Sequence, residues 1–119
     1  MNELEKWQAS YRKGFIKPLI LQILSKMETY PYQLTKQISQ RSQGRLKIAP
    51  SNIYPLLSEL EKIGFIIEKK VEREKRKRVF YSISPDGEIF LEKLRESMCD
   101  FLVNLLTNFE NTGSDESNE

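Results

Sequence analysis

The chain has 119 residues, 39% of them apolar and 30% charged, which suits one compact domain with a real core and leaves no room for a nucleotide-binding domain beside a substrate domain. It contains no histidine and a single cysteine, Cys99, which excludes Ser-His-Asp and Cys-His catalysis, imidazole zinc sites, an intramolecular disulfide and a cysteine metal cluster. Nineteen Lys and Arg against seventeen Asp and Glu leave a net charge of only +2, a weak argument against a nucleic-acid partner until the charge is located along the chain.

Asn2–Lys13 reads as a short amphipathic helix, with Leu4, Trp7 and Tyr11 on one face, and Gly14 marks the joint after it. Lys17–Met27 follows as a more buried helix carrying Leu19, Ile20, Ile23 and Leu24. It also holds the longest apolar run, Pro18–Leu21, far below the ~18–20 residues of a membrane span. Thr29-Tyr30-Pro31 has the form of a cap followed by proline at the first helical position. The helix it opens runs to about Ser42, with Leu34 and Ile38 inward and Gln33, Lys36, Gln37, Gln40 and Arg41 outward.

Pro50 opens a further helix to Ile63, stopped by Gly64, with Ile53, Leu57, Leu60 and Ile63 as its buried stripe. Pro55 is harmless if Asn52 caps this helix; if Pro50 is already its first residue, a backbone bond is missing and the early turns are distorted. Phe65–Val71 and Arg78–Ser84 are β-prone and flank a charged hexapeptide, a hairpin whose lack of Asn-Gly or Asp-Gly predicts a loop longer than two residues. Ser84-Pro85 starts a long helix to about Phe109, and Gly113–Glu119 reads as a disordered acidic tail. Short helices followed by a two-stranded ribbon and a long helix predict a mostly α (α+β) winged helix-turn-helix. Its expected parts are a DNA-binding domain over 1–84 with an N-terminal helix, a dimerisation helix over 85–110, and the tail over 111–119.

Three segments carry the functional reading. From Lys69 to Arg78 there are seven basic residues and two acids, a local charge of +5, whereas Glu110–Glu119 carries −4. The small net charge is thus a near-cancellation. A basic β-ribbon can lie along a groove and gain affinity by releasing counterions from phosphates, although a solvated hairpin tip has the same composition. In the Pro50–Ile63 helix, Ser51, Asn52, Tyr54 and Ser58 are hydrogen-bonding side chains near the start of a recognition helix, where base edges are read. Ser51 or Asn52 has a second reading as the helix cap, and Tyr54 one as a core-edge residue. Glu59 and Glu61 repel phosphates, so only the first half of this helix should approach DNA.

In the terminal helix Leu91, Leu94, Met98, Phe101 and Leu105 alternate by three and four, and Leu102, Leu106 and Phe109 widen the stripe. A face of that width needs cover. A second copy supplies it as a two-fold dimer, with packing against Asn2–Met27 as the alternative. Cys99 belongs to the same pattern and is expected to be an inert packing residue. The carboxylates are scattered one turn from Lys or Arg, neither a Gly-rich phosphate loop nor an internal repeat occurs, and the first residues lack the form of a secretory signal. The expectation is a cytoplasmic binding protein, not an enzyme, that uses no cofactor or metal and no membrane.

The chain resembles the PadR-like family of winged-helix transcriptional regulators. The resemblance is carried by Lys13-Gly14-Phe15-Ile16-Lys17 leading into Leu19–Leu24, by Tyr30-Pro31-Tyr32-Gln33-Leu34, by Ser51-Asn52-Ile53-Tyr54-Pro55-Leu56-Leu57 through Gly64-Phe65-Ile66, and by Arg78-Val79-Phe80-Tyr81 through Gly87. It spans Gly14 to Phe109, and the Tyr-Pro-Leu-Leu run is its most specific part. It implies a homodimer that packs or swaps terminal helices on an inverted-repeat operator in double-stranded DNA, usually repressing. The single terminal helix resembles the short subfamily, some members of which are released by hydrophobic compounds bound between subunits. Two positions depart from the family pattern: Pro31 stands in place of a glycine, and Met98 where certain drug-binding relatives have a tryptophan.

The expected DNA-contacting residues are therefore Tyr32, Lys36, Ser51, Asn52, Tyr54, Ser58, Lys75, Arg76, Lys77 and Arg78. Trp7, Leu91, Leu94, Met98, Phe101, Leu102 and Leu105 are expected to build the dimer, and Trp7, Met98 and Phe101 an effector pocket. The competing readings are a winged-helix protein-interaction module, whose basic ribbon docks an acidic partner, and a sensor switched by a hydrophobic small molecule.

Overall fold

The computed structural model describes residues 1–73 and 76–110, with side chains for all of these except 73, 76 and 77. The tail expected over 111–119 lies outside the described residues, as does Lys75. The elements run α1 (Glu3–Lys13), α2 (Ile16–Lys26), α3 (Pro31–Arg41), α4 (Pro50–Lys62), β1 (Ile66–Arg73), β2 (Arg76–Ile83) and α5 (Pro85–Glu110). This is the mostly helical winged architecture that the pattern predicts.

Local chemistry sets most of the helix ends. Asn2 caps α1 through a full capping box: its side chain accepts from the Glu5 N–H at 2.8 Å, and the Glu5 carboxylate accepts from the Asn2 N–H. At the end of α4, Gly64 takes φ 87°, so its N–H reaches the Glu61 carbonyl and that of Phe65 the Leu60 carbonyl, each at 3.0 Å. This Schellman ending needs a left-handed residue, which glycine supplies without a Cβ penalty. It also turns Ile63 out of the helical stripe, and Ile63 is exposed, contrary to the sequence reading.

Ile20, Leu21, Ile23 and Leu24 of α2, Leu34 and Ile38 of α3, and Ile53, Leu57 and Leu60 of α4 form the core, closed by Ile66, Tyr81 and Leu91. Leu19 is only half-buried. The wing is an antiparallel pair in register from Ile66↔Ile83 to Arg73↔Arg76. Pairing therefore extends into the charged segment and leaves only residues 74 and 75 between the strands, not the longer loop expected.

Thr29 does not cap α3. Tyr30 occupies that position without a side-chain bond, while Thr29 forms an isolated bridge with Tyr81, donating at 3.1 Å and accepting at 2.8 Å. The entry to α3 is thereby stitched to the wing.

Ser84 starts α5 by accepting the Gly87 N–H at 3.0 Å while its hydroxyl donates to the Gly64 carbonyl at 2.6 Å. Gly87 lets the first turn of α5 press on the Phe65 carbonyl, where an added Cβ would collide and would also meet Ile83 Cγ1 at 2.7 Å. Alanine ordinarily stabilises a helix by about 1 kcal/mol over glycine. Here the sign reverses: Gly87→Ala is expected to destabilise the fold by at least about 2 kcal/mol in a urea melt.

Candidate nucleic-acid interface

The core side chains of α4 leave its opposite face in solvent. Ser51, Asn52, Tyr54 and Ser58 are all exposed. Ala49 is the N-cap and makes no side-chain bond, so neither Ser51 nor Asn52 caps the helix. Pro50 is its first residue and Pro55 lies inside it. Proline at 55 cannot donate to the Ser51 carbonyl, yet α4 continues unbroken, with a tight bond from the Asn52 N–H to the Ala49 carbonyl (2.9 Å) as the early irregularity. An uncapped first turn presents the positive end of the helix dipole to whatever approaches.

The second half of α4 differs. Glu59 accepts a hydrogen bond from Lys17 at 3.0 Å in an exposed ion pair, worth little in water. Slight desolvation on an otherwise exposed side chain, then the neighbouring Glu68 carboxylate, pushes the Glu61 carboxyl up from its ordinary value. Burial and the same two carboxylates raise the Tyr81 hydroxyl. For Glu61 the raised value means that its strain with Glu68 is present at neutral pH and relieved as pH falls. A polyanion is repelled at this end, which leaves the first half of α4 as the approachable one.

At the junction of α3, α4 and the wing lies an open cleft of about 520 Å³, lined by Tyr30, Pro31, Tyr32, Tyr54, Arg78 and Val79. Three sequence-expected residues from three different segments, Tyr32, Tyr54 and Arg78, thus meet. Tyr32 and Tyr54 are each 55% exposed, so Tyr54 is not a core-edge residue. The Lys36 Nζ lies 4.6 Å from the centre of the Tyr32 ring, and the Arg78 guanidinium 4.5 Å from that of Tyr30. Arg76 and Lys77 are placed by their backbone on β2, while their side chains are outside the described residues.

Sequence reasoning missed Tyr30, whose only signal was its place before Pro31. It also missed a basic notch where Arg12 and Lys13 of α1 meet Arg45 and Lys47 of the α3–α4 connection.

The expected dimer and effector residues separate. Leu91 is 5% exposed and belongs to the chain's own core, not to an interface. Leu94 and Met98 line an apolar groove of about 290 Å³ between α2 and α5, together with Phe15, Leu19 and Leu102. Across it the Arg95 guanidinium donates to the Gln22 side-chain oxygen at 3.0 Å. The alternative of packing against the N-terminal helices is therefore realised for the first half of α5. Beyond it Phe101 (60%) and Leu105 (42%) are exposed with Leu106 and Phe109. Trp7, 71% exposed, and Phe101 do not line the groove, so one chain does not assemble the Trp7–Met98–Phe101 pocket. Cys99 is exposed at the groove rather than packed inside. No helix among the described residues is long and apolar enough to cross a membrane.

The model of the transcriptional regulator PadR-like family matches residues 20–93. Over 91 residues the chain is 30% identical to Transcriptional regulator YqjI of Escherichia coli (strain K12), covering 76% of this chain and 42% of that protein. The chain thus spans about two fifths of the length of the curated relatives it matches. A PadR-like transcriptional regulator of Bacillus cereus superposes with a TM-score of 0.67 at 31% identity, over 79% of this chain and 92% of the other. Bacillus subtilis PadR, solved in complex with operator DNA, gives a TM-score of 0.60 at 26% identity, over 66% of this chain and 45% of that one. With the winged helix described above and a family match over more than half of its length, the chain belongs to the PadR-like family of transcriptional regulators.

Proposed function

We propose that this chain is a sequence-specific DNA-binding regulator, working in the cytoplasm as a homodimer on an inverted-repeat operator and repressing by occupying it. The observation that carries the reading is the first half of α4. There, Ser51, Asn52 and Tyr54 stand exposed at the uncapped start of the helix, Tyr54 shares a cleft with Tyr32 and Arg78, and the wing's strand ends hold a local charge of +5. Residues 1–84 make the DNA-reading unit, and 85–110 join two copies. The two recognition helices then enter successive major grooves about 34 Å apart, and the wings grip flanking phosphates. The work is binding, and no cofactor is required.

The apolar groove beside Met98 favours one addition. In the dimer a hydrophobic small molecule seated there would compete with α5 packing and alter the spacing of the two α4 helices. Sequencing the genomic fragments that the protein retains tests the central reading. The expected motif is an inverted repeat with half-sites about 10 base pairs apart; retention without any shared motif overturns it. Asn52→Ala is then expected to weaken binding to that motif by about 1–3 kcal/mol and leave mixed-sequence DNA unaffected, by fluorescence anisotropy on the two duplexes. Equal losses on both would reduce Asn52 to a backbone contact.

A further inference from the structure

We propose that the cleft between the start of α3, the first turns of α4 and the base of the wing is a seat for one phosphate of the DNA backbone, and that Tyr30 is the positioning residue that holds Arg78 at its rim. The proposal rests on the DNA-binding reading and adds a site and a residue to it.

Arg78 and Phe80 are two apart on β2 and so share a face of the wing. The Tyr30 ring engages both. The Arg78 guanidinium lies 4.5 Å from its centre, and Phe80 meets it edge-on at 5.5 Å and 72°. The Tyr30 backbone is held just as firmly, because the preceding Thr29 exchanges two hydrogen bonds with Tyr81 and the following Pro31 begins α3. An exposed arginine ordinarily samples many rotamers and loses that freedom when it binds. Stacked on a ring with a fixed backbone, Arg78 is oriented before any ligand arrives.

The rest of the cleft suits a phosphate. Tyr32 and Tyr54 are exposed tyrosines, Lys36 stands beside the Tyr32 ring, and among the described residues no carboxylate lines the space. Tyr54, its lining residue on α4, stands one turn on from Ser51, so a duplex laid on the start of α4 would run its backbone past the cleft. Phosphate contacts are independent of sequence, which makes a mixed-sequence duplex a sufficient probe.

The test compares Tyr30→Leu, Tyr30→Phe, Arg78→Ala and the double variant Tyr30→Leu/Arg78→Ala by anisotropy on such a duplex across a salt series. Arg78→Ala is expected to lower the slope of log K against log salt by about 0.9 per protomer, one phosphate contact. Tyr30→Leu should lose most of the same slope, Tyr30→Phe should keep the wild-type slope, and the double variant should bind no more weakly than Arg78→Ala. A wild-type slope for Tyr30→Leu, or additive losses in the double variant, overturns the seat while leaving DNA binding intact. A wild-type protein that binds no duplex overturns the underlying reading instead. Should Tyr30→Leu not fold, Arg78→Lys takes its place, because it keeps the charge and loses the planar stack. A several-fold weaker affinity is then expected, and unchanged affinity overturns the role of the stack.

Discussion

Replacing Leu102 and Leu105 together with Asp is expected to convert a dimer into a monomer and to weaken binding to an inverted-repeat duplex by about 10²–10⁴-fold. The 26 residues of α5 span about 39 Å. Only Gly87 and Leu91 of α5 are fully buried, and Leu94 and Met98 are half-covered beside α2. Phe101, Leu102, Leu105, Leu106 and Phe109 are then exposed where α5 runs on past its packing against α2, a patch that a soluble monomer rarely tolerates. The helical period puts these residues along one side of α5, so a second α5 placed across a two-fold axis would bury them. Two carboxylates per protomer in that seam would face their copies without compensation. The loss on DNA follows from linkage: two joined half-site contacts act at an effective concentration that a monomer lacks. Sedimentation and anisotropy on the same samples check both halves. A variant that stays dimeric places the interface elsewhere, and a monomer that keeps full affinity removes the need for one.

Arg76→Ala, Lys77→Ala and Arg78→Ala combined should weaken binding to every duplex by at least the order of 10³-fold at about 0.1 M salt, and flatten its salt dependence. Six contacts are lost from a dimer, or about five units of slope. The wing is narrow, paired from Ile66↔Ile83 to Arg73↔Arg76, and tied at its base by the Thr29–Tyr81 bridge, so the strand that carries these residues has a fixed root. Because phosphates carry no sequence information, the ratio of operator to mixed-sequence affinity should survive the triple change, in contrast to Asn52→Ala. An unchanged slope would remove the wing from the interface and favour an acidic protein partner for its charge.

Much of this fold was legible before the structure because its punctuation is local. Pro31 and Pro50 open helices where proline costs no backbone bond, and Asn2 and Ser84 cap theirs within one turn. The misreadings share one cause. Thr29 pairs with Tyr81, Leu91 packs beneath α2, and Ile63 leaves its stripe because the helix stops one residue earlier than its apolar period. Each depends on a partner far along the chain, or on where a backbone turn falls, and periodicity carries neither.

The candidate site divides the same way. Composition removed catalysis by histidine and residue order placed positive charge in one ribbon, because those are properties of residue type and position along the chain. Periodicity alone predicted an apolar stripe too wide for α5 to leave bare. Only the packing of α2, α3 and α4 decided that Tyr32, Tyr54 and Arg78 share a cleft, that Tyr30 braces Arg78, and that Trp7 stands apart from Met98. Those are distances between segments distant in sequence, and they exist only once a common core has fixed how the helices cross.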